Sequence, residues 1–459
     1  MGKFTSLDVH EAENWHYRGE GAANVVLVYD GSNPALVGKV LRLRKTVRGA
    51  DKLSHGALKT PVLTPEEQVL WAEWPRMIAA ASSAELNHTY VRDVLRPLLT
   101  DTHVDPGTIV FVSGLFVEAL NRNIAHRRPA WRMDSGSLTM SSGIGLLIDD
   151  HSIFTIPRDT VGNLPRTITV EMKPKWGFLP ESPWIKEENA IKKTVSRFRM
   201  HQILKMKEGK IKGISKYCPL DLFSGTEEGI LKALRDLFVT PQNNLRIFYN
   251  GEEVFGDFDG STTSPEDARV PLENIIKEIV PFHEGGPVLA FQKLVAHLLF
   301  QSNILEKLQR VQKLDYLDIE GSIQAYEKFM DHIKRSTTGS EDVVPSTLET
   351  DSHPEQATYV NGISKLTFEE CRKALRDYLI SATAKDCGIM LALQPVEPET
   401  MSDISIPGTG VLEHSGRFYF HKIHFLDLDV KRLKKLPRYS QLDTDIVKAY
   451  RSCYLNDSV

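Results

Sequence analysis

A chain of 459 residues that is 41% hydrophobic and 25% charged can bury a large core, and its length fits two or three lobes rather than one. A formal net charge of −4 speaks against a general nucleic-acid binder, because polyanion partners usually leave a basic balance, so any anion site must be local. Cys218, Cys371, Cys387 and Cys453 show no metal spacing, and no apolar run reaches membrane-spanning length, which predicts a reduced, soluble protein of the cytoplasm or nucleus without a membrane partner.

In chain order, the first informative stretch is Arg18-Gly19-Glu20-Gly21-Ala22-Ala23-Asn24, a small-residue loop that leads into the apolar run Val25 to Tyr29. Missing side chains let a backbone approach phosphates closely. Asp30 to Pro34 supplies a turn and Leu36 to Leu43 a return strand, so the segment reads either as an ordinary hairpin or as a kinase-type roof over a nucleotide. There is no P-loop motif, and a strand rather than a helix follows the glycines. Residues 44 to 62 are polar, basic and expected to be mobile. Thr64-Pro65-Glu66-Glu67 opens a helix with a capping box, running to about Ala80. Arg127-Arg128-Pro129-Ala130-Trp131-Arg132 can clamp a phosphate or form a surface turn. Gly145 to His151 reads as a buried strand breaking into a polar turn, a hinge between lobes.

The central stretch is Thr169-Val170-Glu171-Met172-Lys173-Pro174-Lys175-Trp176. Apolar and charged residues alternate with the period of a strand, and Pro174 ends the ladder because it has no N–H to donate. By parity, unless the proline turns the chain, Glu171, Lys173 and Lys175 share one face, an arrangement that suits a phosphate and its metal better than a core. Glu187 to Lys207 is expected to be one helix. Its Lys193, Arg197, His201 and Lys205 recur at intervals of four and stack in a column whose repulsion an anion would offset. Residues 171 to 207 carry nine Lys or Arg against four Glu in a net acidic protein.

Further on, Thr226 to about Val239 is a helix, and the turn Pro241-Gln242-Asn243-Asn244 leads through Arg246 into a strand. Several helices follow between about 265 and 335, and 334 to 362 has the composition of a disordered insert. A helix from Leu366 to Ala384, capped by Thr367 with Glu370, leads to Asp386 and the strand Ile389 to Leu393. A second strand, Phe418 to Leu426, delivers Asp427-Leu428-Asp429. Carboxylates at two strand ends suit a kinase, in which one takes the hydroxyl proton and another holds Mg²⁺. Lys431 to Arg438 holds five basic residues in eight, which fits an anion pocket wall or a nuclear-import signal, and Ser440 with Asp443 caps a last helix.

Together the Glu-x-Lys-Pro-Lys stretch at 171 to 175, the loop at 18 to 24, the Ser196-Arg197-Phe198-Arg199-Met200-His201-Gln202 helix and the Pro241 to Asn244 turn resemble the inositol-pentakisphosphate 2-kinases, particularly the plant-type enzymes. The resemblance covers about Trp15 to Tyr450. It implies an α+β, two-lobed, distantly protein-kinase-like fold with a helical inositide-binding elaboration in the C-terminal lobe: 1–145 as N-terminal lobe, 146–165 as hinge and linker, and 166–459 as C-terminal lobe. It implies transfer of the ATP γ-phosphate to the axial 2-hydroxyl of inositol 1,3,4,5,6-pentakisphosphate, giving the hexakisphosphate (phytate), by a monomer.

By the same resemblance Gly21, Ala22, Ala23 and Asn24 roof the ATP phosphates, Arg42 and Arg246 hold ATP, and Asp149, Asp150 and His151 meet the adenine. Glu171 and Met172 lie on the nucleotide side. Lys173 bridges γ-phosphate and acceptor, Asp386 takes or orients the hydroxyl proton, and Asp427 holds Mg²⁺. Arg132, Lys175, Arg197, His201, Lys205, Asn243, Lys431, Lys435 and Tyr439 grip the inositide. Two departures stand out. Family members often carry a Cys and His zinc site near the insert, but residue 324 is Gln and the insert has no cysteine, which predicts no structural zinc. Lys435 stands where an arginine is expected, keeping charge but losing the bidentate fork. Two alternatives stay open: another inositol-polyphosphate kinase, and a non-catalytic inositide-binding scaffold.

Overall fold

The alternation of buried and half-buried residues along Asn24–Tyr29 commits that segment to a strand with one face on a core. In the computed structural model, which describes residues 5–21, 23–46, 62–129, 132–133, 137–138, 143–154, 166–256, 265–282, 284–338, 365–400 and 408–454, it belongs to the first of two sheets. Strands β1 (Thr5–Leu7), β2 (Trp15–Glu20), β3 (Asn24–Tyr29), β4 (Lys39–Thr46), β5 (Thr108–Val112), β6 (Ser137–Leu138) and β7 (Ile144–Asp149) form it, in the order β1-β5-β7-β4-β3-β2 with β6 on β4. The β1–β5 pair is parallel and the others are antiparallel. Trp15, Val25, Leu27, Leu41 and Val110 close a core against Phe116, Leu120 and Ile124 of the helix Gly114–Ile124.

The second sheet consists of β8 (Ile168–Met172), β9 (Leu245–Tyr249), β10 (Glu252–Gly256), β11 (Gly388–Val396), β12 (Gly410–His414) and β13 (Arg417–Leu426), all antiparallel, in the order β10-β9-β8-β11-β13-β12. Its strands β8 and β11 bury Val170, Met172, Ile389, Leu391 and Leu393 in the larger core, which the helices Gly286–Gln301, Ile304–Gln312 and Phe368–Ala384 complete. The expected helices between 265 and 335 are present, and the helix Asp318–Thr338 runs into the start of the expected insert. Among the described residues no single helix is long and apolar enough to cross a membrane, and the four cysteines are free thiols.

The structure modifies several expectations. Leu63, Leu70, Trp71, Tyr90 and Leu95 precede the hinge but pack in the larger core, and Tyr90 Oη donates to Thr383 Oγ1 at 3.2 Å, so packing does not divide the chain by one cut at 145. The helix opened by the Thr64–Glu67 capping box ends at Leu70, and a second piece, Pro75–Ile78, follows, because Trp74 before a proline leaves the helical region (φ −119°, ψ 77°). Glu187 to Lys207 is not one helix: a 3₁₀ segment, Glu187–Lys193, is followed by the helix Arg197–Lys207, whose start is set by Ser196 Oγ accepting from Arg199 N at 3.3 Å. The return strand β4 begins at Lys39, since Leu36 to Gly38 are held in the turn. The last helix begins at Leu436, four residues before Ser440, and Asp443 lies inside it as a partner of two cations. Residues 47–61, 155–165 and 339–364, which hold most of the expected mobile stretch, linker and insert, lie outside the described residues.

Candidate active site

Register brings the chemistry to one edge. Met172 pairs with Ile389 and Gly388 with Leu426, so the end of β8, the start of β11 and the end of β13 lie side by side. Glu171, Lys173, Asp386 and Asp427 are therefore delivered together. Lys173 Nζ donates to Asp427 Oδ2 at 3.2 Å. Burial pulls the Lys173 ammonium down, but Asp427, Glu171 and Asp386 outweigh it and hold its pKa above the ordinary lysine value. Glu171 sits between Met390 and Arg246 in register; burial raises its carboxyl while Arg246 opposes. Asp386 accepts from Lys431 Nζ at 2.7 Å, and that cation overcomes burial to keep the carboxyl below its usual range.

The parity argument holds only as far as Lys173, whose N–H still bonds Asn244 O at 2.9 Å. Lys175 adopts a left-handed backbone (φ 62°), so the turn and not strand alternation aims it. Asp386, Lys173 and Lys205 all act on its ammonium, which places it in the same cleft, and burial pulls it down to about 8. Arg197, His201 and Lys205 stack down one face of their helix as expected, whereas Lys193 belongs to the preceding 3₁₀ segment and drops out. Burial, with Lys205, Arg197 and Lys175 nearby, pushes His201 down to about 3, so it is neutral at pH 7 and not a fourth cation. Lys205 and Lys435 are also lowered, by burial first and by neighbouring cations second.

The run 431 to 438 divides. Lys431 turns to Asp386 and acts on Tyr439, whereas Arg432 donates to the buried Glu67 at 2.9 and 2.5 Å, and Lys434, Lys435 and Arg438 are exposed. The glycine hairpin reaches this edge at Asp429. Gly21 N donates to Asn24 O at 3.0 Å, closing the turn, and no atom lies within 4 Å of a Cβ placed on Gly19 or Gly21. Arg42 Nη2 donates to Asp429 Oδ2 at 2.7 Å, and the Asn24 amide, with its oxygen turned to Arg42, accepts at 2.8 Å. Ala23 O accepts from Lys45 N at 2.8 Å, and Lys45 and Arg128 both pair with the buried Glu20. Ala22 lies outside the described residues.

Some expected residues lie apart from this cleft. Asp149 pairs with Lys39 and its N–H donates to Asp105 Oδ2 at 3.1 Å; Asp150 N donates to Gly38 O at 2.8 Å. His151 is buried, its ring stacked on His424 with centroids 3.7 Å apart. The hinge N–H groups at 149 and 150 thus already have protein partners. Arg132 acts on Tyr17 of the first sheet, whereas Asn243 is exposed in the turn before β9, next to Asn244, whose carbonyl accepts from Lys173 N at the cleft.

Three features were missed. Asp429 was visible beside Asp427, but nothing in the sequence paired it with Arg42. Trp176 is met by two cations, Lys385 Nζ 3.9 Å from its ring centroid and Arg197 4.8 Å. Asp318, Glu320 and Asp443 form the acidic cluster most like a cation site among the described residues, and the Lys192 ammonium occupies its centre, with Asp443 also holding Arg197.

A glycine hairpin that meets Asp429 beside two strand-end carboxylates, with cations from several segments converging on them, is the equipment of a small-molecule kinase. The family model for inositol-pentakisphosphate 2-kinase matches residues 17–445. The inositol-pentakisphosphate 2-kinase of Arabidopsis thaliana is 38% identical over 447 residues, 97% of this chain and 94% of that protein. The enzyme of that name from Oryza sativa subsp. indica is 37% identical, covering 96% and 94%, and that from Danio rerio 28%, covering 97% and 94%. The chain belongs to the inositol-pentakisphosphate 2-kinase family.

Proposed function

We propose that this protein transfers the γ-phosphate of ATP to the 2-hydroxyl of inositol 1,3,4,5,6-pentakisphosphate, the one hydroxyl that substrate has left, giving inositol hexakisphosphate. The observation that carries the reading is a set of half-buried cations, Lys175 and Lys205 above all, whose pKa values are depressed by burial first and by neighbouring cations second, a setting that calls for counter-charge. Five phosphomonoesters carry roughly −7.5 to −10 at neutral pH and would supply it. A binding scaffold needs those cations but has no use for Asp386 and Asp427 facing a polyanion.

On this reading the two sheets are the lobes of a distantly protein-kinase-like fold, acting as a monomer in cytoplasm or nucleus without structural zinc. The hairpin at 21–24, Arg42 and Arg246 face the nucleotide, with Asp149 to His151 at the adenine end. Magnesium bound with ATP would offset phosphate charge, and Asp427 would hold it. Lys173 leaves Asp427 for the transferring phosphate and stabilises charge there. Asp386, ionised at working pH, orients the hydroxyl and accepts its proton late, as suits a loose transfer. Lys175, Arg197, His201, Lys205, Lys431, Lys435 and Tyr439 hold the inositide from one side, and Arg132 and Asn243 from others.

Two results follow. Lys205→Ala raises the KM for the inositide about tenfold or more, and that for ATP far less, because it removes a charge-assisted phosphate contact; the gap narrows as salt is added. Equal effects on both substrates would remove Lys205 from the inositide pocket. The second result concerns pH. The anion prefers protonated Lys175, so affinity is full below its pKa of about 8 and declines as pH rises above it. Steady-state assays from pH 7 to 9.5 should show inositide KM rising above pH 8 in the wild type, with Lys175→Ala flattening the rise. A wild-type KM independent of pH would contradict it.

A further inference from the structure

Beyond Pro174 the chain leaves the sheet through the left-handed Lys175, and its backbone groups lose their strand partners. In a buried segment each such group must find another. Tyr217 Oη donates to Pro174 O at 2.8 Å, and Gln309 Nε2 donates to Gly177 O at 2.5 Å. Two more, Gly177 N and Lys175 O, are met by Gln312, the last residue of the helix Ile304–Gln312, with 0% of its surface exposed. Its Oε1 accepts from Gly177 N at 2.8 Å, and its Nε2 donates to Lys175 O at 2.8 Å and to Ala384 O at 3.2 Å. Its own carbonyl accepts from Ser381 Oγ at 2.5 Å.

One side-chain amide therefore joins the segment carrying Lys173 and Lys175 to the turn carrying Asp386, just past the last β8–β11 register pair at Met172 and Ile389. Lys385 over Trp176 ties the same two segments, but a cation over a ring lacks the directionality of paired hydrogen bonds. We propose that Gln312 is a positioning residue for phosphoryl transfer, an inference that rests on the roles given above to Lys173 and Asp386. The amide sets the separation between the segment of Lys173, which meets the γ-phosphate, and the carboxylate of Asp386, which meets the hydroxyl. Glutamate of the same shape keeps the acceptor for Gly177 but, ionised, has no hydrogen for either carbonyl; methionine keeps the volume and neither function.

The test compares full-length Gln312→Met, Gln312→Glu and Gln309→Met, the last freeing the Gly177 carbonyl without touching the bridge. Melting curves establish folding, and steady-state kinetics with ATP and inositol pentakisphosphate follow. Misplacement of reacting groups by about 1 Å predicts a kcat loss of about 30-fold or more in the folded Gln312 variants, with KM for each substrate within about threefold of wild type. Gln309→Met should keep its kcat within about threefold. An unchanged kcat in either folded Gln312 variant, an effect confined to KM, an equal loss in Gln309→Met, or failure of both Gln312 variants to fold would overturn the proposal. Lys173→Ala, assayed alongside, separates the two claims: if it is inactive while Gln312→Met is normal, only the positioning role fails.

Discussion

Lys173→Ala lowers kcat by about 10²- to 10³-fold, the loss typical of removing a preorganised donor to a developing anion, while the protein stays folded. The folded state tolerates the change because the side chain is 27% exposed and its partner Asp427 52%. Its raised pKa comes from three carboxylates, so its removal leaves Glu171, Asp386 and Asp427 facing phosphates with less positive charge between them. The loss should fall on kcat more than on the inositide KM, which other cations maintain. Retention of kcat within about threefold in a variant with a native melting temperature would remove Lys173 from the transfer step.

Asp386→Asn is the second large effect, with kcat down about 10²- to 10⁴-fold, the range for a general base. The amide keeps size and one hydrogen-bonding oxygen but cannot accept the hydroxyl proton. The depressed carboxyl pKa of Asp386 argues for orientation with late proton acceptance, which predicts no loss of kcat assignable to this group as pH falls from 8 to 6. Because the Lys431 ion pair at 2.7 Å is the tie broken, Lys431→Ala should leave more activity than Asp386→Asn, raising inositide KM instead. Equal kcat losses in the two variants would mean that the ion pair, and not the carboxylate, carries the chemistry.

How far the sequence reveals this site depends on the range over which each residue acts. Local signals read well. The Thr64 and Thr367 capping boxes, the helix from about Thr226 to Val239 and the Pro174 strand end each depend on residues a few positions apart, and the structure contains them all. That Asp386 and Asp427 stand at strand ends was legible in the pattern, whereas their meeting with Glu171 and Lys173 was implied only by the family resemblance. Long-range pairings were not legible. Arg432 belongs to Glu67, Lys192 to Asp318 and Asp443, and Arg42 to Asp429, each across a large stretch of chain that no pattern marks. The helix column lost Lys193 to a cap at Ser196 and lost a charge at His201 to burial, two effects that periodicity does not contain. At Lys175 a left-handed turn residue after the proline, and not strand parity, sets the side chain's direction.

The most direct test incubates purified protein with Mg²⁺-ATP and inositol 1,3,4,5,6-pentakisphosphate and resolves the products by anion-exchange chromatography, with Lys173→Ala in parallel. The account predicts inositol hexakisphosphate from the wild type and little or none from the variant. Tight inositide binding with no hexakisphosphate formed by the wild-type protein would contradict it and leave a scaffold in its place.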